Sequence, residues 1–146
     1  MNRRAIAIAA LALLGLADSL YLLTVHWGWW QAVCLGIGSC EVVNASAYSE
    51  LLGVPVALLG ALAYLAILAA SLLILREAYG ELARRAVFFV ALVGVVFSAY
   101  LTVVELFILH EICPWCVLSA LLITLIAVLG GWELRQWESD GFESAV

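Results

Sequence analysis

The sequence predicts an all-α integral membrane protein, a four-transmembrane-helix bundle with an outer loop between its first two spans. Three observations carry this. Of 146 residues, 67% are hydrophobic and only 12% charged, more apolar surface than a small soluble core can bury. Four runs rich in Leu, Ala, Val and Ile are long enough to cross a bilayer core about 30 Å thick, which takes about 20 helical residues. All six cationic side chains, Arg3, Arg4, Arg76, Arg84, Arg85 and Arg135, lie at the chain start, in one central hinge, or just beyond the last run.

The spans are expected over about residues 5–27, 54–75, 86–109 and 113–131, with residues 28–53 as the outer loop and 132–146 as a cytoplasmic tail. No Pro/Gly/Ser-rich linker divides the chain, so residues 1–146 read as a single membrane domain. A cleavable signal peptide is the competing reading of the start, but the apolar run continues past Asp18 to Trp27. An even number of spans returns the chain to its starting side. The positive-inside rule then places both termini and the hinge around Arg76 to Arg85 in the cytoplasm of a multi-pass cell-membrane protein. Residues 28–53 and the turn at 110–112 would face outside. Tyr79-Gly80 breaks the inner hinge, and Pro55 suits the first turn of the second span. Trp27, Trp29 and Trp30 mark one interface and Trp132 and Trp137 the other. The net charge of -5 says less than the arginine positions, and no nucleic-acid partner is expected.

All four cysteines, Cys34, Cys40, Cys113 and Cys116, fall on the predicted outer face, the side on which disulfides persist. Cys113-Pro114-Trp115-Cys116 is the sharpest motif, since this spacing at a helix start brings both sulfurs to one face. Cys113 would sit at the helix N-terminus, where the partial positive charge favours a thiolate. Cys116, one turn deeper, would face the bundle beside Ala120 and Ile123 at helical spacing. A structural staple and a zinc site are the alternatives, although the five residues between Cys34 and Cys40 do not suit the usual zinc spacing. Leu35-Gly36-Ile37-Gly38-Ser39 makes a flexible link that could close as a staple or serve as a shuttle. With a second pair on the same face, a relay by thiol exchange is the stronger reading.

A short repeat supports the layout: Ser19-Leu20-Tyr21-Leu22 recurs as Ser98-Ala99-Tyr100-Leu101, and Cys34 and Cys113 follow at the same offset. Gly94, Ser98 and Thr102 have the small-residue spacing of close helix packing. Asp18 and Glu105 are ionisable groups inside apolar runs, candidates for function or for snorkelling to water. His26 and His110 read as interfacial, and Asn44-Ala45-Ser46 matches a glycosylation acceptor. The competing functional class is a metal carrier or small channel with outer cysteine ligands. It would need polar residues along the bundle, which the second and fourth spans hardly offer.

These residues meet a known pattern. Cys34, the run from Cys40 to Gly60 with Ser46, Gly53 and Pro55, then Ser98-Ala99-Tyr100-Leu101-Thr102 and Cys113-Pro114-Trp115-Cys116 resemble the vitamin K epoxide reductase family, in its bacterial and archaeal quinone-reducing branch. The resemblance extends from about Leu16 to Leu122. It implies a membrane thiol oxidoreductase built as a four-helix bundle around a quinone of ubiquinone or menaquinone type. Cys116 would lie beside the ring, Cys113 would exchange with Cys40, and Cys34 would meet an extracytoplasmic thiol partner. Ser46 matches the family's loop serine. Ser49 stands where vertebrate members bind the quinone with an asparagine, and Ala120 where they have a tyrosine. Both departures argue against vitamin K epoxide itself as substrate. Many members carry a fused thioredoxin-like domain, and this chain ends at Val146 without one. A separate thioredoxin-like (DsbA-like) partner is therefore expected.

Overall fold

The computed structural model describes residues 2–146. Four long helices, α1 (Arg3–His26), α3 (Val56–Leu75), α4 (Gly80–Val104) and α5 (Pro114–Ala145), form the bundle; α2 (Cys40–Ala45) is a short helix in the loop after α1. The four long helices, α4 together with a π-helical turn over Glu105–Leu109, are long and apolar enough to cross a membrane. In order around the bundle, α1 packs on α3, α3 on α4, α4 on α5, and α5 back on α1. Leu13, Leu62, Leu65, Val96 and Leu125 lie exposed on the outside of this ring, as lipid-facing side chains must.

Local chemistry sets the ends of each element. Asn2 caps α1, its side-chain oxygen accepting from the N–H groups of Arg4 and Ala5 at 3.1 and 3.2 Å. The loop contributes a two-stranded antiparallel ribbon, β1 (Glu50–Leu51) and β2 (Val54–Pro55). Leu52 and Gly53 turn it with positive φ angles of 54° and 82°, the two-residue geometry that matches strand twist. Pro55 ends the ribbon and precedes α3, where its missing N–H costs nothing.

Two helix bounds differ from the sequence reading. The third span starts at Gly80 rather than at 86, because the hinge arginines are held by partners instead of marking a solvated loop: Arg84 pairs with Glu133, and Arg85 with Glu81 one turn earlier. The fourth helix continues from the expected end near 131 to Ala145. At about 1.5 Å per residue its length is about 48 Å, so its last turns extend beyond a bilayer core.

The interior is unequal along its length. In the half that carries the arginines, Ile8, Ile67, Ile74, Val87 and Ile126 are fully buried in one packed cluster. Glu133 closes that end. Its carboxylate accepts from Arg84 Nε at 3.0 Å, lies 3.6 Å from Arg4, and also accepts from the Asn2 amide, so α1, α4 and α5 share one buried charge. Arg4 lies over the Trp132 ring and Arg84 over that of Trp137 at 5.1 and 4.2 Å. The half that carries the cysteines holds a smaller cluster of Leu22, Cys40 and Cys113 and, beside it, a cavity.

A candidate redox site at the cysteine end of the bundle

Cys34 and Cys40 form a disulfide, while Cys113 and Cys116 are free thiols. Cys40 and Cys113 are both completely buried and belong to one cluster with Cys34, Trp115 and Cys116 around them. The sequence separates the two pairs by more than 70 residues, and the fold brings them together. Two side chains hold the loop in place. Trp115 Nε1 donates to the Val33 carbonyl at 2.8 Å, and the Val33 N–H donates to the Tyr21 hydroxyl at 2.9 Å, with the Tyr21 and Trp115 rings 5.0 Å apart. Residue 33 is thus clamped from both sides, one position before Cys34.

Gly38 supplies the close approach. A Cβ there would lie 1.8 Å from the Ile112 carbonyl oxygen, and its φ of +69° is one that only glycine adopts freely. The loop can therefore rest on the turn before α5, with Cys40 against Cys113. Ser39 then caps α2 through Val42 N–H, and the Cys40 N–H donates to the Cys34 sulfur at 3.0 Å.

On the other side, Cys113 is the N-cap of α5, with Pro114 as the first helical residue. The Cys116 N–H donates to Cys113 Sγ at 3.4 Å. Hydrogen bonding from Cys116 holds the Cys113 thiol below its ordinary range, against the opposing effect of burial. Glu105 joins this pair: its Oε2 accepts from the Cys113 N–H at 3.3 Å.

Cys116 also lines a partly open cavity of about 570 Å³ between α1, the loop, α3, α4 and α5, a volume typical of small-molecule sites. Leu22, Leu59, Val90, Val93 and Phe97 make its walls apolar. Ser46, Ser49 and Ile123, singled out in the sequence as cofactor-binding candidates, line it. Ala120 does not; Ser119 does. The reason is helical phase: at about 100° per residue, positions 119 and 123 fall on one side of Cys116 and position 120 on the other. The Gly94, Ser98 and Thr102 stripe faces this cavity too, rather than serving only to pack helices. In the repeat, Ser19 and Leu22 from α1 and Ser98 and Leu101 from α4 all reach it.

Tyr64 and Ser119 were not singled out in the sequence. The Tyr64 hydroxyl donates to the Ser119 carbonyl at 2.8 Å and lies 3.0 Å from its hydroxyl, at the cavity wall. A tyrosine in an otherwise apolar span was the available signal. His26 is more than an interfacial residue: its Nδ1 meets the Asn44 carbonyl and its Nε2 the Glu50 carboxylate, each at 3.2 Å, tying α1 to the loop. Asn44 turns back to donate to the Cys40 carbonyl at 3.0 Å. Asp18 and Glu105, at 5% and 4% exposure, do not snorkel to water. Neither carboxyl oxygen of Asp18 has a hydrogen-bond partner among the described residues.

A half-buried disulfide, a second cysteine pair against it and an apolar cavity touching one thiol, all at one end of four helices able to span a membrane, define the class: a membrane thiol oxidoreductase. Residues 6–130 match the family model for the vitamin K epoxide reductase family, and the chain belongs to that family. Its oxidoreductase character, its membrane location and its disulfide follow together.

Proposed function

We propose that this protein passes electrons from an extracytoplasmic thioredoxin-like protein through Cys34 and Cys40 to Cys113 and Cys116, and on to a quinone, so generating disulfide bonds. The observation that carries the reading is contiguity. Cys40 and Cys113 are buried in one cluster, and Cys116, three residues on, lines the cavity. Cys34, less buried than Cys40, is the sulfur that a protein thiol would reach.

The residues fit a quinone of ubiquinone or menaquinone type. Apolar walls suit a flat hydrophobic ring, and Ser46, Ser49, Tyr64 and Ser119 put hydroxyls at the margin. Such a cofactor would supply an acceptor for two electrons and two protons. The chain does the rest by exchange: a Cys113 thiolate attacks the Cys34–Cys40 disulfide at Cys40 only in reverse, so in the forward direction reduced Cys40 attacks a Cys113–Cys116 disulfide and releases the Cys116 thiol. Reclosing Cys34–Cys40 then leaves Cys113 and Cys116 as the reduced pair. The placement of both termini in the cytoplasm, and of the cysteines outside, rests on the arginine positions.

A channel or metal carrier is the less favoured class, because the half of the bundle beyond the cavity is filled by Ile8, Ile67, Ile74 and Ile126. Purified protein titrated with a reduced thioredoxin-like protein and quinones tests the reading by absorbance. Quinone-dependent thiol oxidation is expected in the parent chain and absent in Cys116→Ala. Oxidation retained in a folded Cys116→Ala protein would sink the proposal.

A further inference from the structure

Glu105 has no task in cysteine exchange alone, yet its position is specified closely. The π-helical turn over Glu105–Leu109 breaks the register of α4 just there, a distortion that re-aims side chains and is frequent at functional sites. The Glu111 N–H donates to the Glu105 carbonyl at 3.1 Å, His110 reverses the chain with φ at +52°, and Cys113 returns over the Glu105 carboxyl. That carboxyl accepts from the Cys113 N–H, and Glu105 lines the same cavity as Cys116. One buried acid thus stands both at the cysteine pair and at the cavity that Cys116 lines.

Resting on the quinone reading above, we infer that Glu105 is the catalytic acid–base residue that takes the proton of the Cys116 thiol and delivers it to an oxygen of the quinone in the cavity. The step balances. As the sulfur–sulfur bond forms between Cys113 and Cys116, two S–H bonds break, and two electrons and two protons pass to the quinone to give the quinol. Glu105 accepts the Cys116 proton, gives it up on the cavity side, then does the same for the Cys113 proton, and ends as the carboxylate it was. Burial makes the arrangement useful, since a proton released from a thiol away from water needs an acceptor within reach. The Cys113 N–H alone would need only a neutral acceptor, which a glutamine also provides.

The other ionisable groups of this region are Cys113 beside the carboxyl, Cys116, His26, Tyr48 and Tyr64 along the cavity, and Asp18 of α1, whose charge acts on Cys116. Any pH profile must be read against them, so the test compares variants that leave all but one thiol in place. In quinone-free Cys113→Ala protein, whose loop disulfide is intact, Cys116 is the single free thiol. Its alkylation by a small uncharged maleimide is followed across pH by mass spectrometry. With Glu105 present, reactivity is expected to show two steps, with a shoulder on the acid side where the proton rests on the carboxyl. Adding Glu105→Gln should leave one step, falling about tenfold per pH unit on its acid side. In the full chain, Glu105→Gln should lower quinone-dependent thiol oxidation about 100-fold or more while exchange between the Cys34–Cys40 disulfide and added thiols continues. Glu105→Asp, which keeps the acid, should retain the shoulder and serves if the glutamine variant does not fold. One-step alkylation with Glu105 or Asp present, or full quinone turnover in Glu105→Gln, would overturn the inference. Failure of the parent chain to reduce any quinone would instead overturn the functional reading, with the alkylation comparison still deciding whether Glu105 accepts the thiol proton.

Discussion

The two ends of the bundle use buried carboxylates in opposite ways. At the arginine end, Glu133 is surrounded by Arg4, Arg84 and Asn2, and the helices beside it are packed by Ile8, Ile74 and Val87. At the cysteine end, Glu105 accepts from the Cys113 N–H and shares a cavity with Cys116, Asp18 meets no partner among the described residues, and the helices part around that cavity. The difference separates a clasp from a site. A charge matched on every side contributes to one fixed arrangement, whereas a carboxyl beside a thiol and a cavity is placed to exchange protons. Asp18 has no such placement in the cavity wall, and the structure gives it no evident task.

The comparison breaks first at Glu133. Replacing it with Ala leaves Arg4 and Arg84 facing a buried gap, and removing one member of a buried ion pair costs about 3–5 kcal/mol. A large drop in thermal stability in detergent is expected, with quinone turnover at low temperature retained. Unchanged stability would mean the three partners are solvated and the clasp is not one.

Gly38 sharpens the other side. In Gly38→Ala the new Cβ would collide with the Ile112 carbonyl and sit at an unfavourable φ, a combination costing about 1–3 kcal/mol. That is enough to lift the loop from Cys113 and slow exchange about tenfold. Rapid-quench trapping of the dithiol reads the rate, and an unchanged rate would detach Gly38 from the positioning of Cys40. Tyr64→Phe should do least. It removes one hydroxyl bonded to Ser119, worth about 1 kcal/mol, and should weaken quinone affinity by less than about tenfold; a larger loss would make the hydroxyl a direct ligand.

What could be read in the sequence follows the same divide. Span number, the cysteines at one end, Pro114 as the first residue of α5 and the family pattern all rest on local composition or spacing, and each is visible along the chain. The clasp was not: Glu133 finds Arg4 and Arg84 across separations of 129 and 49 residues, and the residues after 131 read as a tail because their apolar run had ended. Ala120 and Ser119 differ by one position, a choice that depends on the rotation of α5 about its own axis. Glu105 was visible as a charge in an apolar run, but its meeting with Cys113 depends on a π-helical turn for which composition gives no signal.

The central claim is that the loop pair and the α5 pair are consecutive stations of one relay. Non-reducing peptide mapping of Cys34→Ala tests it most directly, because removing the outer sulfur leaves Cys40 without the partner that would release it. The account predicts a Cys40–Cys113 disulfide as the stable species, with Cys116 left as a free thiol. A Cys113–Cys116 disulfide persisting in that variant, together with full activity when Cys34 and Cys40 are both replaced, would contradict it.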